Sequence, residues 1–150
     1  MTETPTNEIL RRSHTIFVVD WPSRDVPDSL ALAGFEVAVK GGPGPEDYFA
    51  YENENGKVVV RRTGKHPQYV DMVYAFRPLD ELPGIIETAK SLGAKTIWLQ
   101  SGLTADNTND PRGCWLPNDQ KTRAIQQAQA ANLTLITQPY IADAARGLHS

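Results

Sequence analysis

Five short apolar runs, largely continuous rather than alternating, most constrain what this chain can fold into. They are Thr15 to Val19 (TIFVV), Phe35 to Val39 (FEVAV), Val70 to Phe76 (VDMVYAF), Thr96 to Leu99 (TIWL) and Leu133 to Thr137 (LTLIT). A strand with one wet face alternates apolar and polar residues, whereas a strand buried on both faces reads as an unbroken apolar run. Strands of the second kind belong to parallel sheets, whose neighbours must be joined by crossovers, usually helical. Helical spacing does occur between the runs. Leu82, Ile85, Ile86, Ala89 and Leu92 form one apolar stripe, with Gly93 placed to end it. Residues 119–131 are Ala- and Gln-rich and read as a second helix. Pro27-Asp28-Ser29 opens a short one through Leu30 and Ala33 to Gly34, and the tail from Tyr140 to Ser150 adds a last short helix.

One crossover departs from the pattern. Tyr48 to Glu52 (YFAYE) and Lys57 to Arg62 (KVVVRR) flank Asn53-Glu54-Asn55-Gly56, so a β-hairpin stands where the second crossover helix is expected. The expected architecture is α/β: a Rossmann-like, mainly parallel sheet of about five strands with flanking helices, plus that inserted hairpin. Residues 1–13 form a loose arm or a short docking helix around Ile9 and Leu10, ahead of a single domain over 14–150.

Composition excludes several functions. Cys114 is the only cysteine, so no internal disulfide forms and a reducing cytoplasm is the expected compartment. The apolar runs are too short to span a membrane, and the polar start lacks the apolar stretch of a secretion signal. Fifteen Lys and Arg against eighteen Asp and Glu, without a basic block, argue against nucleic acid as a partner.

In an open parallel sheet, ligands sit outside the carboxyl ends of the strands, near the point where strand order reverses. The residues following each strand are therefore the first candidates. Asp20-Trp21-Pro22-Ser23-Arg24 follows the first strand and Lys40-Gly41-Gly42 the second; Arg77-Pro78 follows the third and Gln100-Ser101-Gly102 the fourth. Cations, hydroxyls, an indole and glycines along one rim suit an anionic ligand with a flat ring. Plain NAD fits poorly. Its fingerprint needs G-x-G-x-x-G after the first strand and an acid after the second, where this chain has Asp20-Trp21-Pro22 and Lys40. Lys40 suits a phosphorylated ribose, as in NADP or coenzyme A.

The stretch 70–103, VDMVYAFRPLDELPGIIETAKSLGAKTIWLQSGL, resembles the small bacterial CoA-binding domain proteins, relatives of the CoA-binding domain of the succinyl-CoA synthetase α subunit. The shared features are a V-D-x-V strand, an F-R-P turn, a proline-started helix and G-A-K-x-x-W-L-Q-x-G. TIFVVDWPSRD and GFEVAVK match more loosely, and the resemblance reaches most of residues 14–138. It implies a coenzyme A or acyl-CoA binder, non-catalytic or regulatory. By position, Trp21, Pro22, Ser23 and Arg24 would receive the pyrophosphate. Lys40 and Gly41 would face the adenosine and its 3′-phosphate, Phe76, Arg77 and Pro78 would line the cleft, and Gln100, Ser101 and Gly102 would close it. The chain departs from its relatives in lacking a glycine and serine directly after the first strand; a carboxylate there, Asp20, repels a diphosphate unless Arg24 or solvent neutralises it. The alternatives are an NADP-dependent oxidoreductase, or a scaffold with a vestigial nucleotide pocket.

Other features read as structural. Cys114, beside Arg112 whose charge can lower a thiol pKa, has no evident base to make it a nucleophile. His14, His66 and His149 lack metal-ligand spacing, and Asp106, Asn107, Asn109 and Asp110 lack the frame of a calcium loop. Trp115 sits in a loop, where packing is the expected use. The hairpin aromatics Tyr48, Phe49 and Tyr51 offer surface either to the sheet's own edge or to a second subunit of a homo-oligomer.

Overall fold

The computed structural model of the protein describes residues 5–104, 106, 108–110 and 112–148. Seven strands form one sheet: β1 (Thr15–Asp20), β2 (Glu36–Lys40), β3 (Tyr48–Glu54), β4 (Lys57–Arg62), β5 (Met72–Phe76), β6 (Thr96–Gln100) and β7 (Thr134–Ile136). Their order across the sheet is β4-β3-β2-β1-β5-β6-β7. The five apolar runs are the five parallel strands, β2-β1-β5-β6-β7. The hairpin β3–β4 extends the sheet beyond β2 in antiparallel register, with Ala38 opposite Ala50 and Tyr51 opposite Val60. Its turn is Asn55-Gly56, both at positive φ (55° and 85°), which fits the twist of a two-residue hairpin loop.

Among the described residues, five α-helices cover the two faces: α1 (Pro5–Arg12), α2 (Asp25–Leu32), α3 (Leu82–Ser91), α4 (Asn118–Ala130) and α5 (Ile141–Gly147). Leu10 of α1, Val26 and Leu30 of α2 and Ile141 of α5 pack on one face with Ile16, Val18, Tyr74 and Trp98. Ile85 and Ile86 of α3 and Ala124 and Ala128 of α4 pack on the other with Phe17, Val73, Ile97 and Leu99. The central strands β1, β5 and β6 are buried on both sides over most of their length, which is why their sequences do not alternate, whereas β2, next to the hairpin, buries mainly its α2 side.

Of the two forms expected of the N-terminal segment, residues 5–12 take the docking helix, α1, whose Leu10 is wholly buried. Other details differ from the sequence reading. α2 begins at Asp25, two residues before Pro27; proline's missing N–H has no intrahelical partner to lose in a first turn. β1 runs one residue further than expected, to Asp20, through an irregularity at Val19: the partners step from Val18–Tyr74 to Asp20–Ala75. The hairpin aromatics turn inward, with Tyr51 buried and Phe49 packed against the α2-side core.

Carboxylates tie the loops to this frame. Asp71, just before β5, accepts Tyr69 Oη at 2.7 Å and the N–H groups of His14 and Thr15 at 2.8 and 3.0 Å. Asp25 accepts Tyr140 Oη at 2.9 Å and Arg146 at 2.8 Å, joining α2 to α5. Burial pushes both carboxyls up, but the hydrogen bonds outweigh it and hold them below the ordinary carboxylate value, as Arg112 and Arg146 do for Asp143. Depressed folded-state values mean that the unfolded chain binds protons first. The stabilisation is thus complete above the unfolded value near about 4 and is lost as pH falls through the folded values. Urea midpoints should therefore hold steady from neutral pH to about 5 and fall below about 4. Asp71→Asn should lower the plateau and flatten the fall; equal wild-type midpoints at pH 6 and pH 3 would refute the account.

Candidate functional site

Strand order reverses at β1, because β2 pairs on one side of it and β5 on the other. The loop after β1 leads into α2 on one face of the sheet, and the loop after β5 leads into α3 on the opposite face. Their divergence opens a cleft of about 590 Å³ at the carboxyl ends of β1, β5 and β6. Trp21 and Pro22 line it from the first loop, Phe76, Arg77 and Pro78 from the second, and Ser101 and Gly102 from the third. Asp20, Asn109 and Asp110 complete it.

The third wall is shaped by a folded clip. Gly102 N–H donates to the Gly113 carbonyl and Asp110 N–H to the Gly102 carbonyl, both at 2.9 Å, while Ser101 Oγ donates to the Trp115 carbonyl at 2.7 Å. Gly102 has φ +73°, and a Cβ there would fall 2.6 Å from the Phe76 ring. The tip of the ring therefore approaches so close to the backbone that only glycine leaves room for it, and the ring forms an apolar part of the wall.

A second hollow of about 280 Å³ lies alongside, lined by Val19, Lys40, Gly41 and Gly42 and sharing Asp20 and Trp21 with the cleft. Lys40 Nζ donates to the Gly44 carbonyl at 3.1 Å and sits 4.6 Å from the centre of the Tyr48 ring.

The other sequence-predicted residues are placed elsewhere. Ser23 Oγ accepts the Asp25 N–H at the start of α2. Arg24 pairs with Asp28 at 3.0 Å and lies over Tyr51, on the α2 side of the sheet, whereas Lys40 lies over Tyr48, which packs with Phe17 on the α3 side. Gln100 is fully buried: its Oε1 accepts the first N–H of α5, from Ile141, at 3.1 Å. Its Nε2 and Tyr74 Oη are buried atoms without partners among the described residues. The three cations thus do not converge, and Arg77 alone of them lines the cleft.

Asp20 is neutralised by Arg77 rather than by Arg24. Asp20 Oδ1 accepts the Trp21 N–H at 2.9 Å, and Oδ2 accepts Arg77 Nη1 at 2.8 Å. Arg77 also grips Glu81 through Nε at 3.0 Å and Nη2 at 2.6 Å. The hydrogen bonds to Glu81 and then Asp20 raise the guanidinium pKa, so Arg77 keeps its charge at any working pH. Asn109 and Asp110 are wall residues that sequence reasoning missed; an Asp/Asn-rich loop reads as solvated, and only its place after β6 pointed to the cleft.

Cys114 is half-buried, and burial pushes its thiol up to about 11, with Asp143 adding to the rise and Arg112 opposing it. The arginine that could have activated it is outweighed. His66 packs edge-on against Phe17 and Tyr48, while His149 and Asn107 lie outside the described residues. Among the described residues no group of three His, Cys, Asp or Glu side chains could hold a metal ion, and no helix is long and apolar enough to cross a membrane.

A doubly wound sheet with a cleft at its reversal point, walled by an indole, a phenyl ring and one arginine, defines a Rossmann-like ligand-binding domain. More particularly, the chain belongs to the CoA binding domain family, whose profile matches residues 48–141. Solved structures share the fold. Prb, described as the PH1109 protein redesigned for binding, superposes with TM-score 0.59 at 21% identity, covering 99% of this chain and 93% of that one. Cell-free ID.343 from Thermus thermophilus gives 0.57 at 21% identity and 99% coverage of both chains. A hypothetical protein from Pyrococcus horikoshii OT3 gives 0.53 at 20% identity, with both chains fully covered. No curated protein matches the chain.

Proposed function

We propose that the protein binds coenzyme A or an acyl-CoA across the cleft and the adjoining hollow, as a binding or regulatory protein rather than a complete catalyst. The observation that carries this reading is a ring-walled cleft at the reversal point of a chain in the CoA binding domain family. Trp21, Phe76 and Pro78 offer flat apolar surface to adenine, and Arg77 offers a guanidinium to the diphosphate. Lys40, on the far side of Trp21, is the cation for the 3′-phosphate. In support of a non-catalytic role, the Ser101 hydroxyl is committed to the Trp115 carbonyl and the Cys114 thiol stays protonated at neutral pH.

Calorimetric titration with CoA, NADPH and NAD tests the reading. Heat with CoA and none with the nicotinamides supports it; NADPH binding favours an oxidoreductase, and silence with all three a vestigial pocket. Lys40→Ala should weaken CoA about tenfold, the size of one charge-assisted hydrogen bond, and leave dephospho-CoA nearly unchanged. Equal losses for both ligands would refute the role given to Lys40.

A further inference from the structure

We infer that Asp20 occupies the anion position of this cleft from within the chain, and so sets which ligands the cleft admits. The donors that face the end of β1 already hold an anion: the Trp21 N–H and Arg77 Nη1 each bind one oxygen of the Asp20 carboxylate. These are a backbone amide and a guanidinium, the two kinds of group that grip phosphate in such clefts.

The backbone is built to bring the carboxylate there. Without the irregularity at Val19, Asp20 would share the face of Val18, which is buried against α2 and α5. The extra residue brings Asp20 level with Ala75, two residues before Arg77, whose Nη1 it meets at 2.8 Å. Glu81 fixes the guanidinium from its other edge, so that Nη1 is aimed at Asp20. An incoming diphosphate therefore meets one arginine held by two carboxylates, with Asp110 also in the wall. It binds by displacing Asp20 from Arg77, and Asp20 acts as a latch against phosphorylated ligands.

The inference rests on reading the cleft as the nucleotide site, and its test separates the two. Asp20→Asn keeps the side chain's shape and the acceptor for the Trp21 N–H but removes the charge. Asp20 and Arg77 side chains are each 41% exposed, so the variants fold, as circular dichroism will verify. Inorganic pyrophosphate and CoA are titrated separately at low salt, where exposed charges are least screened. Asp20→Asn should bind pyrophosphate about tenfold tighter than wild type or more, and Asp20→Asn/Arg77→Gln should lose the gain. CoA should improve by a similar factor. An unchanged pyrophosphate affinity, or a gain that survives loss of Arg77, overturns the latch. If pyrophosphate gains while neither protein binds CoA, the latch stands and the CoA reading falls. If CoA binds both proteins equally, the CoA reading stands and the latch falls.

Discussion

Trp98→Ala is expected to remove about 3–5 kcal/mol of stability, a large share of the roughly 5–15 kcal/mol that holds a domain of this size. Trp98 sits in the middle of β6, fully buried, packed in the core that α2 and α5 share. Its indole fills the gap beneath the segment leading into α5, and Nε1–H donates to the Pro139 carbonyl at 3.0 Å. Alanine leaves a cavity with a polar atom facing it. Trp98→Phe separates the two effects, because it keeps most of the volume and drops the N–H, at a cost of about 1–2 kcal/mol. Urea unfolding measures both variants. A loss below about 1 kcal/mol for Trp98→Ala would show that α5 docks without the indole.

Gly113→Ala should leave the protein folded and damage the cleft. A Cβ on Gly113 would stand 2.5 Å from both the nitrogen and the oxygen of Leu103. Those are backbone atoms that no rotamer change can move. The loop must open, and with it the bonds from Gly102 N–H to the Gly113 carbonyl and from Gly113 N–H to the Asp110 carbonyl. Overpacking of this kind costs about 1–3 kcal/mol. The larger effect falls on ligand binding, because the opened clip carries Gly102, Asn109 and Asp110 out of the wall; CoA affinity should fall more than about tenfold. Gly84→Ala, on α3 with nothing within 4 Å of the new Cβ, is the control and should bind CoA like wild type. Unaltered binding by Gly113→Ala would mean that the 101–115 loop is no part of the site.

The parallel strands and the reversal point are legible in the sequence because burial on both faces erases polar alternation, and because the F-R-P turn and the G-A-K helix exit are local. Side-chain direction is not legible in the same way. Arg24 follows β1 by four residues and Lys40 ends β2, yet they lie on opposite sides of the sheet, held by Tyr51 and Tyr48. Gln100 looks like a loop residue but is the last residue of β6 and faces inward to cap α5. Asp20 is turned by a one-residue slip in register that no composition signal marks. The hairpin is read correctly from Asn55-Gly56, since a positive-φ turn is local chemistry.

Having a hairpin where a crossover helix is expected makes the sheet unequal from margin to margin. A crossover helix ties strands that are far apart in the chain, whereas β3 and β4 are tied to each other and lean on α2 from one side. On the other side Ala38 stays half-buried and Val59 exposed. Lifting β4 away uncovers little apolar surface, while parting β1 from β5 uncovers the whole interior. Amide protons along β4 will therefore trade with solvent through small local openings, and those of β1 and β5 only when the entire molecule unfolds.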